Sequence, residues 1–529
     1  MLILQNLSYT HPNKDVLFST INLKVNKNEK IALIGNNGVG KSTLLKIIAN
    51  ELEPTSGQKT IDTTPYYIPQ IYGQYNHLTI GEVLKVDSKI NALNEILKGN
   101  ITEENYALLN DDWTIEDRCN EALLYWKLTD LELSQKMETL SGGQKTKIFL
   151  AGISIHQPEF VLLDEPSNHL DNDSRLLLYD FIQSTKCTLI IVSHDRKLLN
   201  LLNSICELSK DNIKVYGGNY DFYKNQKQIE YNALTQDIHH KEKALKKAKE
   251  KERDTVERQQ KLDSRGKGKQ EKAGVAKIMM NTLRNNAENS TSKLRNVHAE
   301  KIGGITQDLQ HLRSSLSAID KMKFGFDNSQ LHKGKTLFKA IDVNFSYSKQ
   351  FIWNENLNFE IISGNRIALK GKNGSGKTTL IKLILNLIQP QTGKTYKNYT
   401  NPIYIDQDYS LLNNELKVYE QAQKFNSSGL EEHDIKIRLN RFLFTKDDWD
   451  KPCHKLSGGE RMRLLLCCLI INSTSPDIII LDEPTNNLDI QNVEILTAAI
   501  NEYQGTLIVI SHDDTFLEQI NIEKTIILH

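Results

Sequence analysis

The chain reads as an α/β protein in which two P-loop-type domains are joined by a long antiparallel helical hairpin. Three observations predict this. A buried strand, a loop of the form G-x-x-x-x-G-K-[ST] and an apolar-periodic helix follow one another twice, starting at Gly35 and at Gly371. Further short motifs follow each loop, in the same order both times. Between the two sets, Lys241 to Lys323 contains no Phe, Tyr or Trp and is rich in Lys, the pattern of solvated helices. The predicted boundaries are residues 1–223 for the first domain, 224–335 for the hairpin and 336–529 for the second domain.

Composition agrees with this division. A chain of 529 residues is too long for one core and suggests about two to four domains. Charged residues at 25% and apolar residues at 39% are those of an ordinary soluble globular protein. The zero net charge hides an asymmetry, because Lys241 to Gln330 holds about 21 Lys/Arg against about 12 Asp/Glu. Six cysteines without C-x-x-C spacing read as reduced thiols, so neither a disulfide frame nor a zinc site is expected. The start, MLILQNLSYTHPNKD, lacks a basic region followed by an apolar one, and no apolar run approaches the ~18 residues of a membrane helix. A cytoplasmic protein is expected.

The first domain opens with short alternating runs, Leu2 to Leu7 and Ile21 to Val25, which read as antiparallel strands. Ile31 to Ile34 is then a buried strand, and Gly35, Asn36, Asn37, Gly38, Val39, Gly40, Lys41, Ser42 and Thr43 form the glycine-rich loop. Its glycines free backbone N–H groups to wrap a phosphate, and the following helix adds partial positive charge at its N-terminus. Lys41 is placed for β/γ-phosphates and Ser42 for Mg²⁺.

Gln70 ends a short strand, which by itself means only a polar terminus. Leu140 begins LSGGQ before an apolar helix, Thr146 to Ile155, so Ser141, Gly142 and Gly143 make a second anion-binding surface. The strand Phe160 to Leu163 delivers Asp164 and Glu165. A carboxylate there can hold Mg²⁺, and the adjacent Glu can polarise an attacking water. TLIIVSHD is another buried strand, ending at His194.

The second domain repeats the series. Its loop carries Gly371, Lys372, Asn373, Gly374, Ser375, Gly376, Lys377, Thr378 and Thr379; YIDQ carries Gln407; LSGGE carries Ser457, Gly458 and Gly459. Asp482, Glu483 and Asp489 lie in IIILDEPTNNLD, and His512 in TLIVISHDD. The loops are offset by 336 residues but the signatures by only 316, so the first domain holds about 20 extra residues between Gln70 and Leu140.

This set of motifs resembles the ATP-binding cassette superfamily, and in particular the ABC-F family, in which two cassettes share one chain without a transmembrane domain. The family's DEPTNHLD stands here as DEPSNHLD and DEPTNNLD, each one residue away. The resemblance implies ATP and Mg²⁺ as cofactors, ATPase activity, and a monomer whose cassettes pair intramolecularly, each P-loop capped by the other's signature. Site one would then join Lys41, Ser42, Gln70, Asp164, Glu165 and His194 to Ser457, Gly458 and Gly459. Site two would join Lys377, Thr378, Gln407, Asp482, Glu483 and His512 to Ser141, Gly142 and Gly143. It also implies Ser42, Gln70, Asp164, Thr378, Gln407 and Asp482 around the metal, and Tyr347 stacked on adenine. In the first cassette the matching place falls near His11 and Tyr9. The 20-residue surplus fits either a short arm toward a ribosomal protein or a longer helical subdomain.

The middle segment has apolar residues at helical a/d spacing: Tyr231, Leu234, Ile238 and Leu245, then Ile305, Leu309, Leu312, Leu316 and Ile319. Pairing Leu245 with Ile305 and Tyr231 with Ile319 puts the reversal near residue 275, beside Gly274. Arms of about 40 residues would reach on the order of 60 Å, with SRGKGK read as a break. Its basic tip, including Arg265, Lys267, Lys269, Lys272, Lys277 and Arg284, is either solvated surface or an RNA-backbone contact; without aromatic rings it cannot stack on bases. The resemblance points to the second reading, with ribosomal RNA and the P-site tRNA as partners in the ribosomal E-site, and an effect on translation that in some relatives is ribosome-protection antibiotic resistance. The competing classes are the ATPase component of a transporter with separate membrane subunits, in which such a hairpin has no role, and a DNA-repair ATPase, in which the coil would split one cassette.

Overall fold

The computed structural model describes residues 1–272, 277–314, 334–348, 350–372, 374–472, 476–486 and 488–528. Within the long helices, the side chains of 263, 266–272, 277–291, 294, 295 and 314 are outside the described set. Asn373, Leu316, Ile319 and Gly274, each named above, and Asn487, the second Asn of DEPTNNLD, also lie outside the described residues. Tyr223–Lys321 separates as one compact unit from a second made of Met1–Phe222 and Met322–His529.

The first half builds two sheets. One is antiparallel: β1 (Leu2–Thr10) pairs with β2 (Val16–Val25) on one side and β4 (Ser56–Ile61) on the other. The other contains β3 (Lys30–Ile34), β5 (Tyr66–Ile68), β6 (Phe160–Asp164), β7 (Thr188–Val192), β8 (Ser204–Leu208) and β9 (Ile213–Tyr216) in the order β5-β6-β7-β3-β8-β9. All its neighbours are parallel except β9, an antiparallel edge. Strands β6 and β7 are buried along their whole length, as parallel strands covered on both faces must be. This is why they read as unbroken Val/Ile/Leu runs.

The helix Lys41–Ile48 sits between the sheets. Its Leu44, Leu45, Ile47 and Ile48 share one core with Leu2, Leu4 and Leu7 of β1 and Leu162, Ile190 and Val192 of the parallel sheet. Leu4 and Leu7 are three apart, yet both face inward. A register shift between them, with Asn6 at φ 48°, resets the alternation.

The second half repeats the plan: β10 (Thr336–Asn344) between β11 (Leu357–Ile362) and β13 (Thr392–Lys397), and a five-stranded parallel sheet β14-β15-β16-β12-β17. Its strands are β12 (Arg366–Gly371), β14 (Pro402–Ile405), β15 (Ile478–Asp482), β16 (Thr506–Ile510) and β17 (Lys524–Leu528). The helix Lys377–Ile384 occupies the same place in a second core, with Leu380, Ile381, Leu383 and Ile384 against Phe338, Ile480 and Ile508. The bulge also recurs, with Asp342 at φ 52° between Ala340 and Val343.

The surplus residues of the first half fold as helices. Between Gln70 and Leu140 lie the helices Ile80–Val83, Asp87–Leu97, Glu103–Leu109 and Ile115–Tyr125, where the second half has Val418–Lys424 and Glu432–Arg441 between Gln407 and Leu456. They bury Leu93, Ile96, Leu109 and Ile115 and are tied by Asp112, which accepts from Lys89 at 2.8 Å and Arg118 at 2.6 Å. All six cysteines are free thiols, five of them buried. No described helix is long and apolar enough to cross a membrane.

The helical unit consists of Tyr220–Lys272, which begins just before it, and Lys277–Ser314. The two run antiparallel, because Lys241 Nζ meets Asp308 Oδ2 at 2.6 Å and Arg313 Nη2 meets Glu242 Oε1 at 2.6 Å. Ile238 and Leu309 are buried in the seam. The expected break at SRGKGK is absent: the first helix runs unbroken for 53 residues, through Gly266 and Gly268. Two glycines cost a helix only about 2 kcal/mol together, less than its other residues supply by propagating it.

Candidate functional site

In the parallel sheet of the first half, β6, β7 and β3 are neighbours, so their carboxyl ends open onto one crevice. The glycine-rich loop leaves β3, Asp164 ends β6, and His194 follows β7. The second half places the loop after β12, Asp482 at the end of β15 and His512 after β16.

The loop takes its shape from glycine. Gly40 has φ 102°, and a Cβ there would sit 2.7 Å from Leu17 Cδ2 and 2.9 Å from Phe18 Cδ1. Gly376, at φ 86°, would meet Ile352 and the Trp353 ring in the same way. Each is the N-cap of its helix and makes no side-chain cap, so the first helical N–H groups stay turned to the crevice. Gly40→Ala is expected to cost about 1–3 kcal/mol through backbone strain and overpacking, read as a lower urea midpoint at unchanged slope.

Lys41 Nζ donates to the carbonyls of Gly35 at 2.7 Å and Asn36 at 3.1 Å, and Lys377 Nζ does the same to Gly371 and Lys372. Burial pushes both ammonium groups down, opposed by carboxylates that include Glu165 and Asp164 for Lys41, and Glu483 and Asp482 for Lys377.

The acids after β6 and β15 match in detail. Glu165 has φ 53° and Glu483 φ 48°, left-handed values that cost a non-glycine residue about 1–3 kcal/mol. The backbone N–H of each donates at 2.8 Å to the strand beside it, Glu165 to Val192 O and Glu483 to Ile510 O. Burial raises Glu165 to about 8, opposed first by Lys41, and Glu483 to about 7, opposed first by Arg175. His194 Nε2 lies 3.2 Å from Glu165 Oε1, and His512 Nε2 3.5 Å from Glu483 Oε1. Burial pushes His194 well below its usual range and His512 to about 4, so both rings are neutral at pH 7.

The two halves complete each other's crevices. One cleft of roughly 380 Å³ is lined by Gly38, Lys41, Ser42, Gln70, Asp164, Glu165 and His194 from the first half and by Ser457 and Gly458 from the second. The other, roughly 560 Å³, brings Gly376, Lys377, Thr378, Gln407, Asp482, Glu483 and His512 to Ser141, Gly142 and Gly143. Both volumes suit a small organic ligand. A direct bond crosses between the halves: the N–H of Asn37 donates to Asp489 Oδ2 at 2.7 Å.

Ser141 and Ser457 also have a local task. Each accepts from the N–H three residues on, Gln144 or Glu460, whose side chain accepts from the serine N–H in return. S-x-x-[QE] is therefore a capping box inside the signature, leaving the glycine N–H groups outward. The two positions expected beside the base are placed differently. Tyr347 is 67% exposed, with its hydroxyl 3.3 Å from Thr379, and is not among the residues lining the second cleft. His11 does line the first cleft, packed edge-on against Tyr9.

Two residue types were missed by motif reading. Tyr404 donates to Asp482 Oδ2 at 2.8 Å, and Tyr67 approaches Asp164 Oδ2 at 3.5 Å. A Tyr three residues before Gln70 and again before Gln407 was the available signal. Arg175, which reaches across to His512 O at 3.2 Å, has no counterpart in the repeat and left no such signal.

Residues 18–168 and 354–486 match the family model described as ABC transporter. YdiF of Bacillus subtilis is 32% identical over 96% of this chain and 77% of its own length. The ATP-binding protein Uup of Haemophilus influenzae is 30% identical over 94% of this chain and 74% of its own. ABC transporter F family member 5 of Arabidopsis thaliana is 28% identical over 98% and 73%. Among solved structures, the archaeal ribosome recycling factor aABCE1, in complex with ribosomal stalk protein aP1, shares the fold at TM-score 0.59 and 19% identity, covering 99% of this chain and 87% of that one. The twin cassettes, their composite clefts and these relatives together mean that the chain belongs to the ATP-binding cassette superfamily and, within it, to the ABC-F family.

Proposed function

We propose that the protein hydrolyses ATP at both composite clefts and uses the cycle to act on the ribosome, with its basic helical segment in the E-site near the P-site tRNA. The observation that carries the hydrolytic half is the pairing, in each cleft, of a P-loop lysine and a strained, buried glutamate beside a neutral histidine with the signature of the opposite cassette. A ligand bound to both faces holds the cassettes together, because neither face is complete alone. Lys41 and Lys377 bind the phosphates, the signature glycines bind them from the far side, and Glu165 and Glu483 accept the proton of the attacking water. His194 and His512 hold those carboxylates in place.

The donor set fits Mg²⁺. Asp164 Oδ1 is buried with no hydrogen-bond partner, and no group of three or more His, Cys, Asp or Glu among the described residues would cage a metal alone. A hydroxyl and one carboxylate, Ser42 with Asp164 and Thr378 with Asp482, suit an ion that takes its other ligands from phosphate and water. When bound, Mg²⁺ neutralises phosphate charge.

The ribosomal half is supported by membership in the ABC-F family, by the fold shared with a ribosome recycling factor, and by the excess of Lys and Arg in the helical segment. Resistance to a ribosome-targeting drug is a further reading of the same activity. Sedimentation tests it. The Glu165→Gln, Glu483→Gln variant should pellet with ribosomes in ATP and be released when ATP is omitted; failure to pellet in ATP overturns the ribosomal assignment while leaving ATP hydrolysis to be judged on turnover.

A further inference from the structure

The two clefts are not equivalent, and one of the differences is a side chain supplied by the neighbouring cassette. Arg175 is in the first turn of the helix Asn172–Ser184, four residues after Asp171. Its Nε donates to Leu170 O at 3.2 Å, which holds the guanidinium to its own loop, and its Nη1 donates across to His512 O at 3.2 Å. It lines the cleft of Lys377, Glu483 and His512, and also a cavity of roughly 200 Å³ between the cassettes that reaches Glu165 and His194. The planar fork suits this double anchorage, since one guanidinium can satisfy two carbonyls in fixed directions.

The matching position of the second cassette, four residues after Asp489, is Val493. It is buried, lines the same cavity and has nothing to donate. The asymmetry continues along the interface. Arg196 donates to Gln519 at 3.0 Å and Lys197 to Asp514 at 2.7 Å, whereas the second cassette has Asp514 and Thr515 at those two positions.

We infer that Arg175 is a positioning residue acting in trans: from the first cassette it fixes the backbone that carries His512, and it thereby sets the rate of the second ATP site and not of the first. This rests on the hydrolytic reading proposed above. A carbonyl anchored from the opposite cassette keeps the His512 loop in register with Glu483 only while the cassettes are apposed, so closure and chemistry are linked at this site. The first site has the aliphatic Val493 in the corresponding place, with no guanidinium to hold the His194 carbonyl; what crosses the interface near it are the side chains of Arg196 and Lys197 and the N–H of Asn37.

Single-site variants separate the two. In a Glu165→Gln chain only the second site turns over, and in a Glu483→Gln chain only the first. Arg175→Met should lower kcat by about 3- to 30-fold in the Glu165→Gln chain with KM for MgATP changed less than about twofold, and Arg175→Lys should restore part of the loss. In the Glu483→Gln chain the same substitution should change kcat by less than about twofold. Equal losses in both chains, no loss in either, or a loss confined to KM overturns the inference. If neither single-site chain turns over ATP while the unaltered protein does, site independence fails and the inference with it. If the unaltered protein has no turnover, the hydrolytic reading itself is overturned.

Discussion

Replacing Glu165 and Glu483 together by Gln should abolish ATP turnover, with steady-state rates about 10²–10⁴-fold below the unaltered chain, while ATP binding persists. The magnitude is that of a lost general base. Gln keeps the volume and one carbonyl oxygen, so the left-handed turn at φ 53° and φ 48° and the contacts to the histidines survive. What is removed is the capacity to take a proton. A rate within tenfold of the unaltered protein would show that another group is the base.

The same substitution has a stability signature with a definite sign. Burial raises Glu165 to about 8 and Glu483 to about 7, above the ordinary carboxylate range of about 4.3 in an unfolded chain. Between those values the nucleotide-free folded state binds more protons than the unfolded state, so the two groups make stability fall as pH rises from about 4.5 to about 8. Gln cannot ionise and removes that loss. The double variant should therefore melt at a higher temperature than the unaltered apoprotein at pH 8, and the difference should shrink toward pH 5. An equal shift at both pH values would contradict the burial argument.

Neutralising Arg265, Lys267, Lys269, Lys272, Lys277 and Arg284 to Gln should weaken association with ribosomal RNA and flatten its salt dependence. If all six contact phosphates, the slope of log K against log salt should become less steep by about 4 to 5. Arg265 is exposed on the first long helix, and the side chains of the other five lie outside the described residues. The helix that carries the first four positions runs through Lys272, so their backbone is helical and not a loop. Pairing of Lys241 with Asp308 and Glu242 with Arg313 secures the described stem. An unchanged slope with unchanged affinity would reduce the segment to a spacer.

Much of this was legible in the chain itself. The strand, loop and helix at Gly35 and Gly371, the buried runs ending in Asp164 and Asp482, and the pairing of helices in the middle all follow from patterns whose physical cause is local. A P-loop needs glycine where φ is positive, a doubly covered strand needs unbroken aliphatics, and a helix seam needs a period near 3.5. The antiparallel register predicted from Leu245 and Ile305 agrees with the ion pairs seen. SRGKGK was misread because glycine's helix cost is small beside a helix of 53 residues.

What the sequence by itself determined is the existence, order and chemistry of the two motif sets, because each motif is shaped by its own backbone. Tertiary structure decided which residues meet across the cassettes. It places Asn37 on Asp489, the SGG signatures opposite the P-loops, and Arg175 beside His512. These partners are separated by hundreds of positions and obey no period, so only the apposition of two folded surfaces can select them. The inequality of the clefts belongs to this second class: Arg175 and Val493 look like ordinary helix positions until the opposite cassette is brought against them.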